Sequence, residues 1–266
     1  MTRFDDATAV KRAGDGRYQV ELDAGYAIAE ALNGGYLMAA LLRAAVDASP
    51  HDHPVATSAN FLRVARPGPA EVWVESRKTG RTAATSRVSL MQNGDPIVDA
   101  TVTTATLAAA AEPVWSGQPP QLPSVDECLT FDSDKEERGF ADRVDMRFGP
   151  ATMGWLDGRP SGRLEQAAYF RLHEEQAPDA FVLALAVDAL PPVVFNTGSY
   201  GWAPTVELTW HMRAVPAPGW LSVHGSGRLV SDGWFDEEAE IWDSTGRLVA
   251  QSRQLARVGR GRREGG

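Results

Sequence analysis

Residues 30–48 read EALNGGYLMAALLRAAVDA. Leu32, Tyr36, Leu37, Leu41, Leu42, Ala45 and Val46 crowd more than half the circumference of a helix, the pattern of a helix buried on most of its sides. Asn33 suits the N-cap, where a side-chain oxygen meets a backbone N–H that has no intrahelical partner. Gly34 and Gly35 follow at once, and without Cβ atoms they let another group come close to the helix start.

The flanking sequence supplies strands to surround such a helix. Residues 18–24 alternate as a short strand before it. After it, 55–64, 70–79, 82–92 and 96–107 are rich in Val and Thr and are separated by the turn signals RPGP, KTGR and QNGD. Asn93-Gly94 is a strong hairpin cue. Residues 108–140 are proline-rich at first (PVWSGQPPQLP), lack periodicity and read as a surface linker. The order then repeats: strands at 142–149 and 163–172, a helix over 179–190 behind Pro178, and strands at 204–213, 220–230, 234–243 and 247–258. Letters repeat as well as order. GDPIVDATVTTATL from Gly94 lies over GRLVAQSRQLARV from Gly246, and GPAEVWVESRKTG from Gly68 resembles PGWLSVHGSGRLVSDG from Pro218. One repeat of this length is a domain duplication. An α+β fold is expected, with units at 1–107 and 141–266 joined by the 108–140 linker, each a sheet curled around one buried helix and set edge to edge with the other.

Composition narrows the function. Apolar residues make up 43% and charged residues 23%, an ordinary globular balance. No run of eighteen apolar residues is present, and the N-terminus lacks an apolar signal segment, so a cytoplasmic protein without a membrane span is expected. Cys128 is the only cysteine, which excludes an intrachain disulfide and a cysteine-built zinc site. The net charge of −9 disfavours a nucleic-acid partner. Arg257, Arg260, Arg262 and Arg263 form a basic tail that reads as a solvated terminus or, more specifically, as a contact to ligand phosphates. No G-x-S-x-G elbow appears, and GDG at 14–16 is too short for a nucleotide loop.

NGGYLMAALL at the first helix, SANFLRVARPGPAEVWVESRKTGRTAATSRVSLMQNGDPIVDATV across the first set of strands, and TVELTWHMR, PAPGWLSVHGSGRLVSDG and GRLVAQSRQLARV in the second half together resemble the double-hotdog acyl-CoA thioesterases of type II. The resemblance covers nearly the whole chain. It implies a tandem hotdog with two antiparallel sheets, each wrapped around a central helix. It also implies an acyl-CoA substrate, no cofactor, and an Asp, a Ser or Thr, and a Gln that hold the attacking water. In this sequence those roles fall to Glu207, Ser226 and Gln254, with Glu one methylene longer than the family's Asp. Gln254 matches well.

Thioester hydrolysis needs a carboxylate to take the water proton, polar groups to orient the water, and donors for the oxyanion. The N-terminus of the first helix, with Asn33, Gly34 and Gly35, is the expected donor site. Alternation in TVELTWHMR puts Glu207, Thr209, His211 and Arg213 on one face, which by itself reads as a solvated outer sheet face; the resemblance singles out Glu207. His211 and His224 are alternative bases, Asn60 and Thr103 are first-half counterparts, and Trp202 and Trp234 are candidates to line an acyl tunnel. Two other functions stay open. One is a non-catalytic acyl-thioester binding protein. The other is a hotdog enoyl-thioester hydratase, which would need an Asp–His pair near a helix start. Chain length of the acyl group, CoA against carrier protein, and a homo-oligomeric state are left open by the sequence.

Overall fold

A computed structural model describes residues 2–109, 111–130, 139–174 and 176–259. The first half contains α1 (Arg3–Thr8), β1 (Val10–Gly14), β2 (Arg17–Leu22), the two-residue strands β3 (Ala27–Ile28) and β4 (Ala31–Leu32), and α2 (Gly34–Asp47). It continues with β5 (His53–Phe61), β6 (Gly68–Thr79), β7 (Ala84–Gln92) and β8 (Asp95–Ala105). The second half contains β9 (Leu129–Thr130), β10 (Val144–Phe148), β11 (Glu165–Leu172), α3 (Ala180–Ala186), β12 (Thr205–Met212), β13 (Leu221–Ser226), β14 (Val230–Ser231), β15 (Trp234–Trp242) and β16 (Leu248–Arg257).

The sequence reading anticipates two sheets set edge to edge. Apart from the β3–β4 pair, the described strands form one continuous fourteen-stranded sheet in the order β1-β2-β6-β7-β8-β5-β12-β16-β15-β13-β11-β10-β9, with β14 beside β15. The halves merge because β5 and β12 pair antiparallel from Glu207↔Asn60 to His211↔Ala56, so neither half leaves an unpaired edge at the centre. Within each half the strand order is the same. The run β2-β6-β7-β8-β5 is matched by β11-β13-β15-β16-β12 read from the other end. A strand before the helix, three meandering strands and the strand after the helix therefore occupy equivalent places about the β5–β12 seam.

α2 is buried almost throughout, from Gly35 to Leu42 and again at Ala44 and Ala45. Its apolar surface packs into one core with α3 and the inward faces of the strands. Asn33 is its N-cap, with Oδ1 accepting the Tyr36 N–H at 2.9 Å. The Asn93-Gly94 turn has positive φ at both residues, as a tight hairpin requires.

α3 is shorter than the expected 179–190 helix. It starts one residue after Asp179, whose carboxylate accepts the N–H groups of Phe181 and Val182. It stops at Ala186 because the chain then turns Asp188 toward α2, ahead of Pro191 and Pro192. Parts of the expected linker do pack on the protein: Tyr169 donates to the Pro123 carbonyl at 3.1 Å. Linker positions 110 and 131–138, and Arg260, Arg262 and Arg263 of the tail, lie outside the described residues.

Candidate active site

The start of α2 is occupied by a carboxylate from the other half of the chain. Asp188 Oδ2 accepts the Gly35 N–H at 3.0 Å and the Asn33 side-chain amide at 3.2 Å, and the same Asn33 amide donates to the Asp188 carbonyl at 2.7 Å. The Gly34 N–H also bonds to this carboxylate. The arrangement explains the Asn-Gly-Gly sequence. A Cβ on Gly35 would stand 2.6 Å from the Ala184 carbonyl oxygen, and one on Gly34 would stand 2.9 Å from Asp188 Oδ2. Only glycines admit α3 and its carboxylate this close.

Asp188 is partly buried. Loss of solvent raises its pKa to about 6, while the Gly35 and Gly34 N–H groups oppose the rise. A carboxylate at a helix N-terminus is favoured by the helix dipole, so the ionised form is held at neutral pH. Phe61, at the end of β5, lies against Gly34: its Cε1 would be 3.0 Å from a Cβ placed there.

A second set of groups stands on the inward face of the sheet. Gln254 of β16 is buried, and its Oε1 accepts the Thr205 hydroxyl at 2.6 Å. Its side-chain amide bonds to Glu237 of β15, its register partner. Glu237 is buried, and its Oε2 accepts the Val193 N–H at 3.0 Å. Burial raises the pKa of Glu237 to about 8; the negative charges of Asp188 and Asp236 add to the rise, and the Val193 and Gln254 donors reduce it. Asp188, Thr205, Gln254 and Glu237 are thereby linked by hydrogen bonds or by charge.

Of the residues singled out from sequence, Asn33, Gly34, Gly35 and Gln254 lie in this constellation. Glu207 and Ser226 do not. Gln254 shares its face with buried Ser252 and Ala256, whereas Glu207 is paired in register with exposed Leu255, and exposed Ser226 is paired with Glu238. Both therefore project from the opposite face of the sheet. Glu207 Oε1 there accepts the Thr209 hydroxyl at 2.7 Å and the Ser58 hydroxyl at 3.4 Å.

The glycine N–H groups, expected to face a substrate carbonyl, are instead on Asp188. His224 sits on the outward face and bonds to Ser222 at 2.7 Å; burial lowers its pKa to about 4. His211 and Asn60 are exposed on that face, and Thr103 meets Thr85. Trp202 is half-exposed at the surface, and Trp234 stacks beneath the Arg257 guanidinium.

Three residues of the constellation went unread in the sequence, and two of them carried a signal. Asp188 ends the apolar run FVLALAV next to a helix C-terminus, where the dipole disfavours an acid. Glu237 falls by alternation with Phe235, Ala239 and Ile241 on an apolar face. Thr205 had none. A bulge between Thr205 and Glu207 places both opposite the Leu255–Ala256 step and turns Thr205 to the inner face.

Comparison with known proteins agrees with this fold. The chain belongs to the acyl-CoA thioesterase family: the family's N-terminal domain matches residues 22–105 and its C-terminal domain residues 118–258. A crystal structure of a Thermobifida fusca YX protein assigned to thioesterase II is 48% identical, with 98% of each chain covered and a TM-score of 0.92. A protein of unknown function with a hot dog fold from Alicyclobacillus acidocaldarius, 22% identical, covers 98% of this chain and 100% of its own with a TM-score of 0.84. An uncharacterised protein of Mycobacterium tuberculosis, Rv0499, is 31% identical over 269 residues, 91% of this chain and 90% of its own. The fold is thus a hotdog fold and the protein a thioesterase. Among the described residues no helix is long and apolar enough to cross a membrane, and no three His, Cys, Asp or Glu residues gather as metal ligands.

Proposed function

We propose that this protein hydrolyses acyl-CoA thioesters, with Asp188 as the base that takes a proton from the attacking water. The carrying observation is the grip of the α2 N-terminus on the Asp188 carboxylate at 3.0 Å from the Gly35 N–H. A carboxylate with a pKa near 6 is ionised at neutral pH yet basic enough to accept a proton in the transition state. Gln254 and Thr205 are the polar pair that orients the water, a contribution of positioning. When Asp188 takes the proton it loses its charge, and the α2 N-terminus that held it is left to stabilise the oxyanion forming beside it. Thiolate is a good leaving group, so the step needs no covalent intermediate. In this reading residues 1–107 and 141–266 are the two hotdog units of a duplication. The first contributes a helix terminus and the second the water-holding side chains.

An enoyl-thioester hydratase would pair an Asp with a His. Among the described residues, Asp188 makes its side-chain hydrogen bonds to Asn33 and to the backbone of Gly34 and Gly35, not to an imidazole.

The test is thiol release from short- to long-chain acyl-CoAs by the wild type and by Asp188→Asn. Loss of turnover in the variant, with acyl-CoA still bound, supports the proposal. Undiminished turnover in Asp188→Asn removes Asp188 as the base. Binding without turnover by the wild type identifies an acyl-thioester binding protein.

A further inference from the structure

Glu237 is a carboxylic acid in a row of apolar side chains. Phe235, Glu237, Ala239 and Ile241 alternate toward the core, and Glu237 is only 4% exposed. Gly225 of β13, paired in register with the neighbouring Ala239, adds no side chain beside it. A Cβ there would come within 3.7 Å of Glu237 Oε1 and 3.1 Å of Leu190 Cδ1. The carboxyl is held from two sides, by the Val193 N–H on Oε2 at 3.0 Å and by the side-chain amide of Gln254. The oxygen of that same amide accepts from Thr205 at 2.6 Å.

A side-chain amide can present its oxygen or its nitrogen in a given direction, and its partners decide which. A hydroxyl donor on one side and a carboxyl acceptor on the other select one orientation for Gln254. We propose that Glu237 is a positioning residue for thioester hydrolysis: it fixes the Gln254 amide, and through it Thr205, in the orientation that receives the attacking water. This assignment rests on the hydrolytic reading of Asp188 above.

The protonation state of Glu237 matters to the same site. Burial keeps the carboxyl neutral at pH 7, so the site carries one negative charge, on Asp188. The charged groups that act on Glu237 are Asp188, beyond the end of α3, and Asp236, beside it in β15. Val193, Gln254 and Gly225 bring no charge, and His224 of β13 faces outward to Ser222. Ionisation of Glu237 at higher pH places a second charge beside the developing oxyanion and opposes it.

The experiment measures kcat and KM on a hydrolysed acyl-CoA between about pH 5.5 and about pH 9.5 for the wild type, Glu237→Leu and Glu237→Gln. The expected wild-type kcat falls above about pH 8 as Glu237 ionises. Glu237→Leu loses about thirtyfold or more in kcat with little change in KM and an unchanged circular dichroism spectrum. Glu237→Gln, which keeps an acceptor for the Val193 and Gln254 donors, recovers most of that loss and no longer falls at high pH.

Wild-type kcat in Glu237→Leu, or a high-pH fall that persists unchanged in Glu237→Gln, overturns the assignment of Glu237 and leaves Asp188 standing. Full activity in Asp188→Asn under the same conditions overturns the hydrolytic reading, and the role of Glu237 with it.

Discussion

Gly35→Ala separates two effects that ordinarily coincide. In an exposed helix interior, alanine in place of glycine stabilises by about 1 kcal/mol through backbone entropy. At position 35 the new methyl would stand 2.6 Å from the Ala184 oxygen, 2.8 Å from the Leu185 oxygen and 3.0 Å from the Leu185 Cα. All three are backbone atoms of α3, so relief requires the two helices to separate. Overpacking of this kind costs about 1–3 kcal/mol, with the upper end appropriate where backbone must move. The net expectation is a loss of about 1–2 kcal/mol. For a chain of this size that lowers Tm by roughly 2–8 °C. The shift also pulls the Gly35 N–H away from Asp188, so kcat falls together with stability. Gly34→Ala is the informative companion: its methyl meets side chains, Asp188 Oδ2 at 2.9 Å and Phe61 Cε1 at 3.0 Å, which can turn aside. It should keep Tm within about 2 °C of wild type while lowering kcat. Thermal melts with thiol-release assays on both variants decide the matter. A Gly35→Ala protein more stable than wild type would refute the claim that α2 and α3 meet backbone to backbone.

Other outcomes follow from the same geometry. Because the folded-state pKa of Asp188 is raised from 3.8 to about 6, its stabilising contribution is fully present below the unfolded value and is lost as pH rises through about 6. Relative to wild type, Asp188→Asn should therefore gain about 1–2 kcal/mol in denaturant unfolding between about pH 4 and about pH 7.5, a figure reduced for the partial exposure of the group. The wild-type kcat should rise with pH through the same region, since only the ionised carboxylate accepts a proton. Asn33→Ala removes the cap on Tyr36 and the bonds to Asp188, and urea midpoints should report a loss of about 1–2 kcal/mol. Glu207→Gln and Ser226→Ala act on the outer sheet face and should leave kcat/KM within about twofold of wild type.

The elements were largely legible because each carried its own period. Residues 30–48 have the wrap-around apolar pattern of a buried helix, and the long strands separate at turns whose residues specify them, as Asn93 and Gly94 do with positive φ. The edge-to-edge joining of the sheets was expected, but not which strands meet, since the β5–β12 ladder is a main-chain pairing with no side-chain signature of its own. Gln254 was assigned from the resemblance, and the regular pairing of β16 puts it on the inner face. Glu207 was taken from the resemblance as the family's carboxylate, and Thr205 went unread because period-two alternation cannot register a one-residue bulge, which reverses the face of everything on one side of it. Asp188 was passed over because its partners, Asn33 and Gly35, are more than 150 residues away in the chain. Such convergence becomes visible only once the sheet has brought the two helices together.

The Asp179 cap on α3 carries a consequence for stoichiometry. Two identical hotdog units would offer two equivalent helix starts. Here the start of α2 receives a carboxylate from across the seam, while the start of α3 is closed by its own preceding residue, and the Arg43 guanidinium lies 4.2 Å from the centre of the adjacent Phe181 ring. On the proposed function only the α2 start serves the reaction, while the α3 start is closed by its Asp179 cap. Titration against a tight-binding substrate analogue is then expected to count one site per chain, and two would refute the assignment.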